Sequence, residues 1–332
     1  MNYTVKNEGF GNESSRSHDV IFDILQVALF SIILLYGCLG NSLVYYYFAL
    51  KKRPRSKGSL IPEHFLSCLA LVNLLSSVVN PLYHLHRILI GSWSFGGTLC
   101  KIIGPLGIIL ITTSSGILIV VAFDREQTIL FNSLQYFTRA SCNAALFLAV
   151  LYNIFIKGYL FKEFNVVKTA GGDQRCEIED YQYRLTYTIP RILSFILGEG
   201  VLFMVFLVVN ILVLSRKRFY TSDIWKMGAL WQKRKRDSLK TIHMVNMMVA
   251  SYFTVILPYN IMTVAFLASN LIGKTIKHNY TTNTVAAFLE LLTVSSSCLN
   301  FPIYCYTHSG IRKYVRHLIC FRKLDNVSFL RS

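Results

Sequence analysis

Charge is scarce in this sequence. Asp, Glu, Lys and Arg make up only 15% of the 332 residues, whereas hydrophobic residues make up 53% and the mean hydropathy is +0.44. Soluble domains carry about 25% charged residues, and one of this size rarely has such a composition. The composition therefore indicates a membrane protein.

The sequence also lacks the motifs of a membrane enzyme. It contains no H-E-x-x-H pair for a metal and no G-x-S-x-G turn for a nucleophile. His84 and His86 are two residues apart, so they do not share one face of a helix. We therefore predict no enzymatic activity, no cofactor and no metal site.

Long apolar runs recur along the chain. A helix needs about 20 mostly apolar residues to cross the hydrocarbon core, and within lipid the backbone must satisfy its own hydrogen bonds. The sequence thus predicts an all-α membrane protein, a seven-transmembrane helix bundle spanning residues 20–307 after an N-terminal tail, 1–19. The predicted spans are 20–49, 62–88, 98–124, 141–163, 186–215, 241–268 and 284–307.

Lys and Arg are concentrated in alternate connecting segments. Of the 34 basic residues, 22 lie in 51–57, 125–140, 216–240 and 308–332. The positive-inside rule makes these segments cytoplasmic, which places the N-terminus outside a multi-pass protein of the plasma membrane. Orientation and attraction to anionic lipid explain the net charge of +17, so no nucleic-acid partner is expected.

Two kinds of outer-face residue agree with this topology. Sequons for N-glycosylation begin at Asn2, Asn12 and Asn279, all on the predicted outside. Of the eight cysteines, only Cys100 and Cys176 fall on that oxidising side. We expect them to form a disulfide between the top of helix 3 and the 164–185 loop; two free thiols are the alternative.

The segment after the last predicted span, 308–332, has helical periodicity. Its first part predicts a short amphipathic helix on the inner leaflet, followed by a short cytoplasmic tail. Cys320 at the end of that helix is a candidate for palmitoylation, with an ordinary free cysteine as the alternative. The apolar residues at helical spacing are Ile311, Tyr314, Val315, Leu318 and Ile319.

Six short motifs follow one another along the chain. They are C-L-G-N-S-L-V, L-S-C-L-A-L-V-N, W-S-F-G, D-R-E, L-P-Y and C-L-N-F-P-I-Y, between residues 38 and 304. In this order and spacing they resemble the rhodopsin-like (class A) G-protein-coupled receptors over almost the full chain. The resemblance implies a cell-surface receptor that binds an extracellular ligand and activates a heterotrimeric G protein.

The resemblance assigns a switch to the inner end of the bundle. Asp124 would hold the Arg125 guanidinium in the inactive state, and Arg125 would meet the G protein when helix 6 moves outward. A charge at this depth is costly unless paired, and is usually functional; alternatively, Arg125 only marks the helix end and snorkels. The switch set is Asp124, Arg125, Glu126, Asn300 and Tyr304.

Several positions depart from the family pattern. Helix 4 lacks the usual Trp, helix 5 lacks its mid-helix Pro, and Ile256 stands where helix 6 commonly has a Trp. Asn73 replaces the family's aspartate, which removes the only formal charge of its sodium pocket and weakens the expectation of sodium regulation. Amides can instead hold helices together by hydrogen bonds. The polar core set is Asn41, Asn73, Ser114, Ser296 and Asn300.

The resemblance also limits the classes of ligand that are expected. Gly107 stands where amine receptors have an Asp, and helix 7 has no Lys for retinal. Pro81 and Glu290 are placed as in peptide and chemokine receptors, although the cysteines of a second outer disulfide are missing. A peptide is therefore the favoured ligand, and a small anionic or lipid ligand is the alternative. The alternative to a signalling receptor is a seven-span transporter or a scavenger that does not signal.

A set of charged and aromatic residues lies near the predicted outer ends of the helices. Arg side chains there would bind a carboxylate and Glu290 an amine. Alternatively, the His and Arg cluster contacts headgroups and Glu290 forms an interhelical salt bridge. The ligand candidates are His84, Arg87, Lys101, Gly107, Arg191, Glu199, Tyr259 and Glu290. The short tail has few hydroxyl groups, so we expect weak arrestin recruitment.

Overall fold

The computed structural model describes residues 13–51, 60–130, 138–168, 172–178, 185–208, 211, 229–272 and 280–319. This part of the chain contains eight helices that are numbered here in chain order, besides one single helical turn. They are α1 (Glu13–Tyr45), α2 (Leu60–Leu89), α3 (Gly96–Leu130), α4 (Arg139–Lys157), α5 (Leu185–Ser194), α6 (Ala229–Leu271), α7 (Tyr280–Thr307) and α8 (Ser309–Ile319). Two helices change to π geometry, α1 at Tyr46–Lys51 and α5 at Phe195–Gly200, after which α5 stays helical to residue 208.

Seven of these helices are long and apolar enough to cross a membrane, which confirms the predicted bundle. The spans are Val20–Lys51, Glu63–Leu89, Gly96–Asp124, Ala140–Lys157, Thr188–Val208, Leu239–Ser269 and Tyr280–Thr307. The fourth ends earlier than the predicted residue 163, because the chain turns at Gly158 into a single helical turn, Leu160–Glu163. At the other end, α1 begins at Glu13, inside the predicted tail.

A short hairpin replaces the loop expected between the fourth and fifth spans. Strand β1 (Phe164–Lys168) pairs antiparallel with β2 (Gln174–Ile178), and Val166 lies opposite Cys176. The hairpin is anchored where the Trp93 backbone N–H donates to the Gln174 carbonyl at 2.6 Å. It therefore forms a fixed cover over the end of α3 that the positive-inside rule predicts to be outside, here called the outer end.

The α3 helix is the centre of the bundle. Two thirds (67%) of its most apolar stretch is buried, against 17% in α1, α4 and α5, whose exposed aliphatic side chains face outward. The largest apolar core fills the inner half and includes Phe65, Ile117, Met248 and Tyr304. Such packing holds the helices together where lipid supplies no hydrophobic force between them.

A helix follows the last span, as predicted. Ile311 of α8 is 1% exposed and belongs to the inner core, whereas Leu318 is exposed. The π-helical end of α1 packs on the same helix, since Lys51 lies over the Tyr314 ring at 3.9 Å from the ring centroid. This amphipathic helix is therefore fixed against the bundle on its apolar face.

Candidate functional site

The outer hairpin is fixed to α3 by a disulfide. Cys100, in the first turn of α3, is bonded to Cys176 of β2, with 5.5 Å between their Cα atoms. This confirms the predicted bridge. The Tyr83 hydroxyl of α2 donates to the Cys176 carbonyl at 2.6 Å. Phe164 of β1 packs directly over Gly104, where an added Cβ would overlap its ring.

Beneath the hairpin lies a cavity of about 230 Å³. It is bounded by α3, the end of α4, β2, α5, α6 and α7, and no residue of α1 or α2 lines it. On the α3 and α6 walls, apolar side chains outnumber the uncharged polar ones, and every charged group among the described lining residues lies on the α4–α5 side. The charged lining groups are Lys157, Arg191 and Glu199.

Lys157 and Glu199 form a buried ion pair on the cavity wall. The Lys157 ammonium donates to both carboxylate oxygens of Glu199, at 3.0 and 3.3 Å, and the two side chains are only 7% and 4% exposed. Glu199 lies in the π-helical segment of α5. A second bond joins the same two helices, because the Tyr152 hydroxyl donates to the Leu197 carbonyl at 2.5 Å.

A second ion pair lies nearer the outer surface. Arg191 of α5 donates through Nε to a Glu163 carboxylate oxygen at 2.8 Å, and the Glu163 side chain is 3% exposed. Burial raises the pKa of Glu163 above its ordinary value, although Arg191 opposes the shift. Burial likewise raises the pKa of Tyr159, which lines the cavity, to about 12, so its hydroxyl stays neutral.

The inner limit of the cavity connects α3 to α6. Ile111 and Ile256 line the cavity, and the Tyr252 hydroxyl of α6 donates to the Ile111 carbonyl at 3.1 Å. Phe253 beside it packs on Phe203 of α5, with ring centroids 5.0 Å apart. The lower cavity wall is therefore continuous with the contacts between α3, α5 and α6.

Three of the predicted ligand residues line the cavity: Arg191, Glu199 and Tyr259. Sequence reasoning missed Lys157, which ends the fourth span and shows no local signal of its pairing with Glu199. It also missed Ile108, the lining neighbour of Gly107. Gly107 itself faces α2, where its carbonyl accepts from the Asn80 amide at 3.1 Å.

The remaining ligand candidates lie outside the cavity lining. Arg87 donates to Glu290 at 3.1 Å and so joins α2 to α7, the interhelical salt bridge that the sequence left as an alternative. His84 is 4% exposed and stacks on Phe30, with ring centroids 4.7 Å apart. Lys101 lies exposed in α3. The outer ends of α1, α2 and α7 are thus filled by their own side chains.

The polar core residues join helices in the middle of the bundle. The Asn41 amide of α1 donates to the Ser297 carbonyl of α7 at 3.0 Å. The Ser114 hydroxyl of α3 donates to the Asn73 side-chain oxygen of α2 at 2.7 Å. Ser296 and Asn300 are also buried. These bonds have the interhelical character that the sequence offered as the alternative to a sodium pocket.

Three of the predicted switch residues, Asp124, Asn300 and Tyr304, are buried. Asp124 is 0% exposed on α3, and Tyr304 of α7, also 0% exposed, packs edge-on against Phe48, with ring centroids 6.0 Å apart. Arg125 and Glu126 follow Asp124 on the same helix, and their side chains lie outside the described part. The glycosylation candidates Asn2, Asn12 and Asn279, and Cys320, also lie outside the described residues.

This fold and its outer cavity define a seven-helix membrane receptor. The family model described as "7 transmembrane receptor (rhodopsin family)" matches residues 40–304, and the chain belongs to this family. Its members are receptors rather than enzymes, and the chain is a multi-pass protein of the plasma membrane.

Known relatives fall into more than one kind of receptor. C5a anaphylatoxin chemotactic receptor 1 of Homo sapiens is 26% identical over 317 residues, covering 89% of this chain and 79% of that protein. Lysophosphatidic acid receptor 4 of Mus musculus is 24% identical over 317 residues, covering 91% and 80%. Among solved structures, squid rhodopsin matches with a TM-score of 0.72 at 19% identity, covering 90% of this chain and 86% of that one, which shows the shared fold.

Proposed function

We propose that this protein is a cell-surface receptor that binds an extracellular ligand in the outer cavity and activates heterotrimeric G proteins. The observation that carries the proposal is the cavity itself, since it combines an apolar wall with a few convergent polar groups, as ligand sites do. Binding would shift the population between two packings of the bundle.

The contacts below the cavity support transmission toward the inner side. The lining residue Ile111 accepts a hydrogen bond from Tyr252, and Ile256 belongs to the same apolar cluster as Phe253, which packs on Phe203. A ligand in contact with Ile256 would therefore act on a cluster shared by α3, α5 and α6. We assign G-protein contact to Arg125, beside the buried Asp124, and to the basic segment 216–240. Membership of the receptor family supports this assignment.

A peptide remains the ligand predicted from the sequence. Pro81 and Glu290 carry that expectation, and the likeness to a C5a anaphylatoxin receptor agrees with it. A specific observation favours a second candidate, a small anionic or lipid ligand, because Glu290 is engaged with Arg87 whereas Arg191 lines the cavity. The likeness to a lysophosphatidic acid receptor agrees with this candidate.

The test is G-protein dissociation in cells, measured against a panel of G-protein classes. We expect a wild-type signal, basal or in response to a peptide and lipid library, that Arg125→Ala abolishes at equal surface expression. Lys101→Ala is the control, since this exposed residue lies outside the cavity lining. An equal signal from Arg125→Ala and wild type would refute the assigned role. Silence in all three would favour a scavenger or transporter and contradict coupling.

A further inference from the structure

We infer that the outer cavity recognises a small acidic amphiphile, with the carboxylate or phosphate head on Arg191 and the apolar chain against α3 and α6. The inference rests on the proposed receptor function and adds the chemical class of its ligand. Three features carry it: the unused donors on the cavity wall, the separation of charged from apolar lining, and the cavity volume.

Among the described lining residues, Arg191 has hydrogen-bond donors without a partner, whereas the carboxylate of Glu199 is fully engaged. Both oxygens of Glu199 already accept from Lys157, and Glu290 lies outside the cavity with Arg87. Arg191 uses only Nε, on Glu163. Among the described residues its terminal guanidinium nitrogens have no other partner, and the side chain is 24% exposed. Because a guanidinium only donates and binds an acid with two parallel bonds, the cavity favours an anion over a cation.

The lining is also divided by polarity. Lys157, Arg191 and Glu199 lie on the α4–α5 wall. The facing α3 and α6 walls carry no charged group among the described residues, and their apolar side chains, which include Ile108, Ile256 and Leu267, outnumber the uncharged polar ones, Thr112, Tyr259, Asn260 and Thr263. A ligand that satisfies both walls needs one acidic head beside an apolar body. A ligand charged along its length would place polar groups against these aliphatic side chains without partners, which is costly.

The size of the cavity favours a small amphiphile over a peptide. Its volume of about 230 Å³ is below the roughly 300–1,000 Å³ of pockets that enclose drug-sized ligands. It accommodates a head group and the first part of an acyl chain. A peptide chain would bring one N–H and one C=O group with nearly every residue, more than the few uncharged polar side chains of the α3 and α6 walls can bond.

Glu163 gives the site a defined pH dependence. The groups around it are Arg191, which pairs with it, and Tyr159, whose raised pKa keeps it neutral. An acid bound to Arg191 competes with the Glu163 carboxylate, whose pKa burial already raises. Protonation of Glu163 removes that competition, so a head group that stays ionised binds more tightly as the pH falls toward the pKa of Glu163.

The experiment measures ligand binding to the full chain purified in detergent, by thermal unfolding and by titration. Oleate and 1-oleoyl lysophosphatidate supply the two acidic heads; monooleoylglycerol and oleylamine supply neutral and cationic heads on the same tail. We expect saturable stabilisation by at least one acidic lipid and none by the other two. Equal shifts from all four lipids, or binding of acidic peptides alone, would overturn the inference.

Variants locate the head group. Arg191→Gln should weaken binding of the acidic lipid by at least about tenfold, the order expected for loss of a charge-assisted hydrogen bond. Arg87→Gln, which opens the Arg87–Glu290 pair outside the cavity, should leave the affinity for the acidic lipid unchanged. Glu163→Gln should tighten binding and abolish its pH dependence. Unchanged affinity in Arg191→Gln would place the head elsewhere and contradict the proposal.

Two further arrangements keep the test decisive. Because Arg191→Gln leaves Glu163 buried without its partner, the double variant Glu163→Gln/Arg191→Gln supplies a folded receptor lacking both charges, and we expect it to lose acid binding as well. The readout uses no G protein. Acidic-lipid binding without coupling would therefore refute the proposed function and keep this inference, whereas coupling without such binding would do the reverse.

Discussion

At the scale of single residues, the direction in which a side chain points around the helix axis decides whether it reaches the cavity. Gly107 and Ile108 are neighbours, yet the first faces Asn80 of α2 and the second faces the cavity. One residue turns an α-helix by about 100°. The apolar residues of α3 are spread around the whole helix, and its polar residues Thr112–Ser115 are consecutive, so no single polar face indicates that rotation. Residue types therefore identified Arg191 and Glu199, but not Ile108.

Gly104 determines how closely the outer hairpin approaches α3. An added Cβ would overlap the Phe164 ring, a buried group that the disulfide holds close to its position. We expect Gly104→Ala to destabilise the receptor by about 1–3 kcal/mol, the usual cost of overpacking, measured as a lower midpoint of thermal unfolding. Gly97→Ala is the control, because no atom beyond its own turn of the helix lies within 4 Å of its added Cβ. Equal midpoints for both variants would contradict this account.

Asn73 makes the polar core neutral at a position where the family commonly has an acid. Its side-chain oxygen accepts from Ser114, and its amide nitrogen has no partner among the described residues. We expect Asn73→Asp to introduce a sodium-dependent rise in the unfolding midpoint that wild type lacks, since a carboxylate supplies the missing charge for a hard cation. Replacement of sodium chloride by choline chloride should abolish the rise. A sodium response in wild type would show that the amide suffices.

At the scale of elements, hydropathy predicted the seven spans because about 20 apolar residues are needed to cross lipid. Most observed ends lie within a few residues of the predicted ones. The π-helical segment of α5 and the outer hairpin escaped prediction, because both depend on contacts distant in sequence. The π segment is bonded to α4 through Leu197 and Glu199, and β2 is fixed by Cys100.

The α4–α5 ion pair should be the most sensitive contact between two elements. Lys157→Glu sets two carboxylates together in a buried site, and removing one partner of such a pair costs about 3–5 kcal/mol. We expect a marked loss of thermal stability in this variant and recovery in the charge-exchanged double variant Lys157→Glu/Glu199→Lys.

The control for this exchange is the pair Arg175–Glu177 in β2. Its atoms are 3.9 Å apart, and the Arg175 and Glu177 side chains are 32% and 11% exposed, so reversal of the more exposed charge, Arg175, should lower stability less than Lys157→Glu does. If the double variant at 157 and 199 unfolds no later than Lys157→Glu alone, the ion pair does not stabilise the α4–α5 contact as described.

At the scale of the whole molecule, the disulfide and the buried Asp124 lie at opposite ends of the bundle. The disulfide Cys100–Cys176 is at the start of α3 and Asp124 is 24 residues further on. At 1.5 Å per residue this is about 36 Å, enough to cross a hydrocarbon core of about 30 Å. The end with the disulfide and the cavity therefore lies on one side of the membrane, and the end with Arg125 on the other.

The distribution of basic residues predicts which end of the bundle faces the cytoplasm and which faces the exterior. The segments holding 22 of the 34 Lys and Arg residues should be cytoplasmic, so the N-terminus and the disulfide should face the oxidising exterior. An epitope at the N-terminus should be stained on intact cells, and one at the C-terminus only after permeabilisation. Asn12→Gln should reduce the mass lost on enzymatic deglycosylation, whereas Asn326→Gln, in a sequon on the predicted inside, should not. The opposite staining pattern would show that the bundle has the inverted orientation, in which extracellular ligands cannot reach the cavity.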